Sequence, residues 1–244
     1  MDCTDTYGLQ LTTSPEAAAA WSKGLRNLLA LQRGAAQAFA SAIALDPTFA
    51  VGHATMALLS YELCVPADLS ARTRDALLHA ARGTERERSH VHAVVSHLGG
   101  DSRPLLAHVR AHPRDALLLS VAVPTIAFSG ATEVPAEAWG LVEGAIPAYG
   151  DDWWFLGLLG FIRAEQGRFD EAMDLSLCSL AAEPSAGHSA HARAHAHYET
   201  GDHEPGLRWM DEWISGDGSG TESLSHFAWH AALHELSLGD LESV

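Results

Sequence analysis

His188, His191, His195 and Glu199 recur at three- and four-residue steps, and His226, His230 and His234 follow at four-residue steps. On an α-helix such spacing gathers each set on one stripe of the surface. Tyr198 flanks the first stripe, and Trp229 and Glu235 flank the second. Imidazole is a common ligand for zinc, iron, nickel and copper, and two histidines one turn apart can hold one ion. His191 and His195 with His226 and His230, supplemented by Glu199, would supply a tetrahedral or octahedral centre. In a metal-dependent enzyme Glu199 or Tyr198 would then serve as acid or base. The spacing is not the His-Glu-x-x-His zinc signature, so two further readings stand beside it. The same residues could line a polar groove for an acidic or amide-bearing peptide, or satisfy hydrogen bonds between helices.

These stripes need helices to carry them, and apolar residues recur at helical spacing, as in Ala35, Ala38, Phe39, Ala42 and Ile43. Val91 to Val95 and Leu117 to Val123 are the β-branched stretches, and both lie in runs long enough to be buried helix. The expected fold class is all-α. Asp46-Pro47, His112-Pro113 and Glu183-Pro184 each close one helical run and open the next, 66 and 71 residues apart. Gly167, Gly201 and Gly239, 34 and 38 residues apart, close helical runs ahead of acidic-rich starts. A period near 34 residues, about half that of the prolines, marks a tetratricopeptide-like α-solenoid of stacked antiparallel helix pairs. Gly160 and Ala172 occupy places where paired helices must approach closely, and Pro184 stands where a helix must end. If first helices of successive pairs are neighbours, the two stripes face each other. The Gly239 register turns His230 partly away from the groove.

Residues 1–244 are expected to form a single helical-repeat domain. Residues 130–152, with Pro135, Gly140, Gly144, Pro147 and Gly150, read as an irregular connection broken into short pieces, and residues 215–221 as a loop. With 47% hydrophobic and 19% charged residues the chain can bury a core. Its formal charge of −16, with Lys23 the only lysine, argues against nucleic acid and anionic membranes as partners. Cys3, Cys64 and Cys178 are odd in number and widely spaced, so neither a disulfide framework nor a thiolate zinc site is indicated. The first residues lack a basic and apolar leader pattern, and the expected location is cytoplasmic.

The chain resembles the tetratricopeptide-repeat protein 38 family over nearly its whole length. The strings that carry the resemblance are Tyr7-Gly8-Leu9 with Leu11-Thr12-Thr13, Asp46-Pro47-Thr48-Phe49 leading to Gly52-His53-Ala54, Arg86-Glu87 with Ser89-His90-Val91, and Gly167-Arg168-Phe169-Asp170-Glu171-Ala172. Most specific are His191-x-x-x-His195 before Gly201, and His226-x-x-Trp229-His230-x-x-Leu233 before Gly239-Asp240. The family usually has Glu three residues after the second histidine of the first string, where this chain has Tyr198 followed by Glu199. Members also continue beyond a point like Val244, so the chain reads as an amino-terminal portion or a short member. An uncapped last repeat, begun at Asp240, would favour self-association or a covering partner. The resemblance implies a helical solenoid with an inner groove and transfers no activity.

Elsewhere, His53 and His90 read as packing residues, and Trp153-Trp154-Phe155 as core or groove wall. Arg82 to Arg88 reads as a solvated helix face, and Asp217-Gly218-Ser219-Gly220 as a plain loop. The leading expectation is a non-enzymatic scaffold that binds a protein, peptide or small polar ligand. Its binding residues would be His188, His191, His195, Tyr198, Glu199, His226, Trp229, His230 and Trp154. The alternative is a metal-dependent enzyme with His191, His195, His226 and His230 as ligands. The expected cofactor is accordingly none, or a divalent transition metal.

Overall fold

The structure, a computed structural model, describes residues 3–123 and 135–239. The chain is all-α: thirteen helices and a hairpin of two two-residue strands account for the regular structure among these residues. By its contacts the chain falls into two compact units, Met1–Leu28 with Gly34–Ala148, and Leu29–Arg33 with Tyr149–Val244.

The first unit opens with β1 (Cys3–Thr4) and β2 (Gln10–Leu11), paired antiparallel. The turn between them is held by Asp5, whose Oδ1 accepts from the amides of Tyr7 and Leu9 at 2.8 Å each. Its helices are α1 (Pro15–Leu29), α2 (Ala35–Leu45), α3 (Ala50–Glu62), α4 (Leu69–Ala80), α5 (Glu85–Leu98), α6 (Arg103–Ala111), α7 (Ala116–Ala122) and α8 (Pro135–Tyr149). Gly24 of α1 lies directly against Phe39 of α2, and the Trp21 indole donates to Thr55 of α3 at 3.1 Å. Helix α3 packs on α4 and on α5, and α5 on α6, so the first helix of the α3–α4 hairpin also meets the first helix of the next. Residues 130–134 lie outside the described residues. From Pro135 to Tyr149, however, the expected short pieces are one 15-residue helix. Pro135 begins the helix, where a missing N–H costs nothing, and Pro147 falls in its last turn.

The second unit contains α9 (Trp153–Glu165), α10 (Phe169–Ala182), α11 (Gly187–Glu199), α12 (His203–Ser215) and α13 (Leu224–Leu238). Helices α9 with α10 and α11 with α12 are the successive pairs, α9 packs on α11, and α11 packs on α13. Gly167 and Gly201, the turn residues inside these pairs, have φ of 73° and 79°, and Gly239 after α13 has φ of 82°. A side chain in this left-handed region costs about 1–2 kcal/mol, which explains why glycine recurs there. Gly160 faces Ser176 and Ala172, with room for a Cβ only at 3.3–3.4 Å, so α9 and α10 touch where the small residues lead one to expect.

The proline turns share one geometry. Asp46, His112 and Glu183 are helix-ending residues, the first and last of them extended, and each carbonyl accepts from the amide three positions on, at 2.9–3.1 Å. Proline at the second position cannot continue the outgoing helix, and the next first helix starts at once. This is why the Asp-Pro and Glu-Pro strings fall at repeat boundaries. Residues 215–221 are mostly turn between α12 and α13, as expected. Residues 240–244, on which the reading of an uncapped repeat rests, lie outside the described residues.

Candidate metal centre

Two helices bring the stripes together, and their starts are fixed by the same short segment. The carbonyl of Ala30 accepts from the amide of Gly187, the first residue of α11, at 3.0 Å. The carbonyl of Leu31 accepts from the amide of Glu222 at 3.0 Å and the Thr221 hydroxyl at 2.9 Å, just ahead of α13. Leu31 holds a φ of 58°, uncommon for a branched residue, and Gly187 lies so close that a Cβ would sit 2.8 Å from Leu31 and 2.9 Å from the Ala30 carbonyl. Leu29–Arg33 thus sets the level of α11 against α13. Ser189 on α11, bonded to Ser179 of α10 at 2.5 Å, anchors the opposite side of α11.

With the helices so placed, the imidazoles of His191, His195 and His230 converge, and His226 joins them through His191 and His230. The Nε2 of His191 lies 3.0 Å from that of His195 on its own helix and 3.0 Å from that of His226 on α13. The Nε2 of His226 lies 3.1 Å from that of His230. Ligating atoms of His191, His195 and His230 all fall within 4.8 Å of one another. His191 and His230 are each 4% exposed, whereas His195 and His226 are half-buried. His230 therefore points into the cluster, contrary to the register argument that turned it partly away.

All four imidazoles are held below the ordinary histidine range, in each case first by burial. For His191 the neighbouring His195, His230 and His226 add to the effect, and His230 is pushed down to about 3. His226 is lowered by burial and then by His195, while Glu165 and Glu199 oppose the lowering at His195. The group is neutral at pH 7, the state in which imidazole can coordinate.

Other expected site residues lie elsewhere. Trp154 is 1% exposed and packs edge-on to Tyr149 at 5.6 Å, so it belongs to the core and cannot line a groove. His188 is buried, and burial lowers it to about 4. Tyr198 turns instead to His203 and His234, whose Nδ1 atoms are 3.2 Å apart. Glu199 is exposed at the end of α11. Trp229 is 55% exposed, its ring 5.2 Å from that of His230 and 6.0 Å from that of His226.

No protein-family model matches the chain. Among the described residues no helix is long and apolar enough to cross a membrane.

The first unit holds a second polar knot that sequence spacing did not reveal. Asp115, the N-cap of α7, accepts from His90 Nδ1 at 2.7 Å, His108 Nε2 at 3.1 Å and Arg86 Nη1 at 3.3 Å, all on Oδ2. The Ser89 hydroxyl pairs with His108 Nδ1 at 2.8 Å. Burial pushes the Asp115 carboxyl up, but His90 and His108 outweigh it and hold the group well below the usual carboxylate range. His90 is a core residue, as expected, with its Nε2 buried and without a hydrogen-bond partner. The 82–88 stretch is only partly a solvated face. Glu87 is buried, closes a capping box with Thr84 and accepts from Thr12 at 2.6 and 2.7 Å, and Arg86 also donates to the Gln10 carbonyl. His53 is a packing residue satisfied by Pro47 and Arg72.

Proposed function

We propose that the second unit is a metal-binding helical-repeat module in which His191, His195, His226 and His230 hold one late first-row divalent ion. The observation that carries this reading is the row of three Nε2 to Nε2 separations of 3.0–3.1 Å across two helices. A neutral imidazole nitrogen has one in-plane site, either a proton or a lone pair. Four such nitrogens can form at most two good hydrogen bonds among themselves, so a third contact leaves groups mismatched in a largely buried place. A cation removes the conflict, because four lone pairs can converge on one centre. Metal–nitrogen bonds of about 2.0–2.1 Å set adjacent nitrogens about 2.9–3.4 Å apart, the range into which these separations fall.

The donor set is all imidazole, which suits zinc, nickel, copper or cobalt and not the oxygen-seeking magnesium or calcium. Protein purified without a histidine tag and dialysed against each of these ions is expected to retain one equivalent per chain. Persistently substoichiometric metal after reconstitution would remove the proposal.

The reading of a scaffold for a peptide or small polar ligand draws support from Trp229, an exposed aromatic side chain beside His226 and His230. It differs in one respect: capture of a ligand would survive complete removal of metal. Membership of the tetratricopeptide-repeat protein 38 family is part of the same proposal. It is supported by the fall of the quoted strings on the Asp46-Pro47 turn, the Gly167 turn and the two histidine helices.

A further inference from the structure

The four rings do not form a symmetric cage. Ring centroids are 4.5 Å apart for His191 and His195, 4.9 Å for His191 and His226, 5.0 Å for His191 and His230, 4.9 Å for His195 and His230, and 4.7 Å for His226 and His230. The remaining pair, His195 and His226, makes no ring contact among the described residues. The figure is that of two triangles hinged on the His191–His230 edge, with His195 and His226 as wings. The hinge residues are buried and the wings are half-buried, so the unfilled edge lies on the wetter side of the cluster.

We infer that the edge between His195 and His226 is an exchangeable coordination position that takes a small anionic ligand from solution. This inference rests on the metal-binding reading. Closed structural sites surround their ion with four protein ligands in a tetrahedron, whereas reactive ones leave a position for water or substrate. The ligand class follows from charge. Four neutral imidazoles leave both positive charges of a divalent ion uncompensated, and a small anion at the open edge offsets part of that charge where the surroundings are poorly solvating. The carboxylates whose charge reaches His195, Glu165 and Glu199, are exposed and lie on the same wing.

Cobalt(II) is a suitable probe, since its visible spectrum reports both binding and ligand number. The full chain would be loaded with one equivalent of cobalt and titrated with azide and, separately, thiocyanate, at concentrations that leave the cobalt bound. A saturable, single-site spectral change with either anion is the expected result, and E165Q and E199Q variants are expected to saturate at lower anion concentration. A cobalt spectrum indifferent to both anions in the wild type and in both variants overturns the open edge while leaving the four-histidine centre standing. Failure to bind cobalt overturns the metal-binding reading itself.

Discussion

Alanine at His191 abolishes stoichiometric ion uptake, while alanine at His203, outside the four-histidine cluster, leaves it intact. His191 is the sensitive position because its Nε2 is the one in contact with both His195 on α11 and His226 on α13. Loss of residues that only orient a ligand typically weakens metal binding about 10- to 100-fold, so loss of this ligand should exceed about 100-fold. The half-buried His226→Ala variant provides a second reading that disturbs the core less. The same experiment has a stability side. Ion at about 1,000 times its dissociation constant adds roughly 4 kcal/mol to a site present only in the folded state. Calorimetry of the wild type should therefore show a metal-dependent rise in the transition of the second unit, and H191A should show none. Protons compete for the same lone pairs. All four imidazoles have folded-state values below the ordinary one, so without metal stability is complete above about pH 6.5 and declines as pH falls through the folded values. Bound ion is expected to leave over the same acid range.

The second large effect lies in the first unit. Asp115→Asn should destabilise that unit by about 3–5 kcal/mol, because it strips the charge from a buried carboxylate that serves two histidines and Arg86. The sign of the pH dependence follows from the depressed carboxyl. Its contribution is present above the unfolded value of about 3.9 and is lost as pH falls through the lower folded value. The gap between wild type and D115N, measured by calorimetry, should thus be full at pH 7 and shrink below about pH 4. An unchanged gap from pH 7 to pH 3 would mean that the ionised carboxylate is not what holds the knot. The exposed Asp101–Arg103 pair is the control, since screened surface pairs contribute little and D101N should leave the transition in place.

Much of this organisation is legible in the sequence because it depends on local rules. Glycine at Gly167, Gly201 and Gly239 is read from spacing and explained by left-handed backbone. The proline turns are read from Asp46-Pro47, His112-Pro113 and Glu183-Pro184 and explained by the inability of proline to extend a helix. The stripes on α11 and α13 are likewise visible from their four-residue steps. Which residues of a stripe meet is a different matter. His188 and His234 share the spacing of the cluster histidines, yet the first is buried and packing of α12 on α13 pairs the second with His203. Trp154 resembles a groove residue only until its burial against Tyr149 is seen. The Asp115 knot joins α5, α6 and the start of α7 at separations of 25 and 7 residues, a pairing without a local period. One signal was present: Asp115 follows His112-Pro113 at the position of an N-cap, next to a run of apolar residues. The clamp at Leu29–Arg33 was hidden for the same reason, since its partners Gly187 and Thr221 lie more than 150 residues away along the chain.

The most direct measurement is X-ray absorption at the metal edge of the reconstituted, tag-free protein. Four imidazole nitrogens at about 2.0–2.1 Å, recognisable by the outer-shell scattering of the rings and reduced in H191A, are the expected result. A first shell of water and carboxylate oxygens without ring scattering, unchanged in H191A, would contradict convergence of the two histidine helices on one ion.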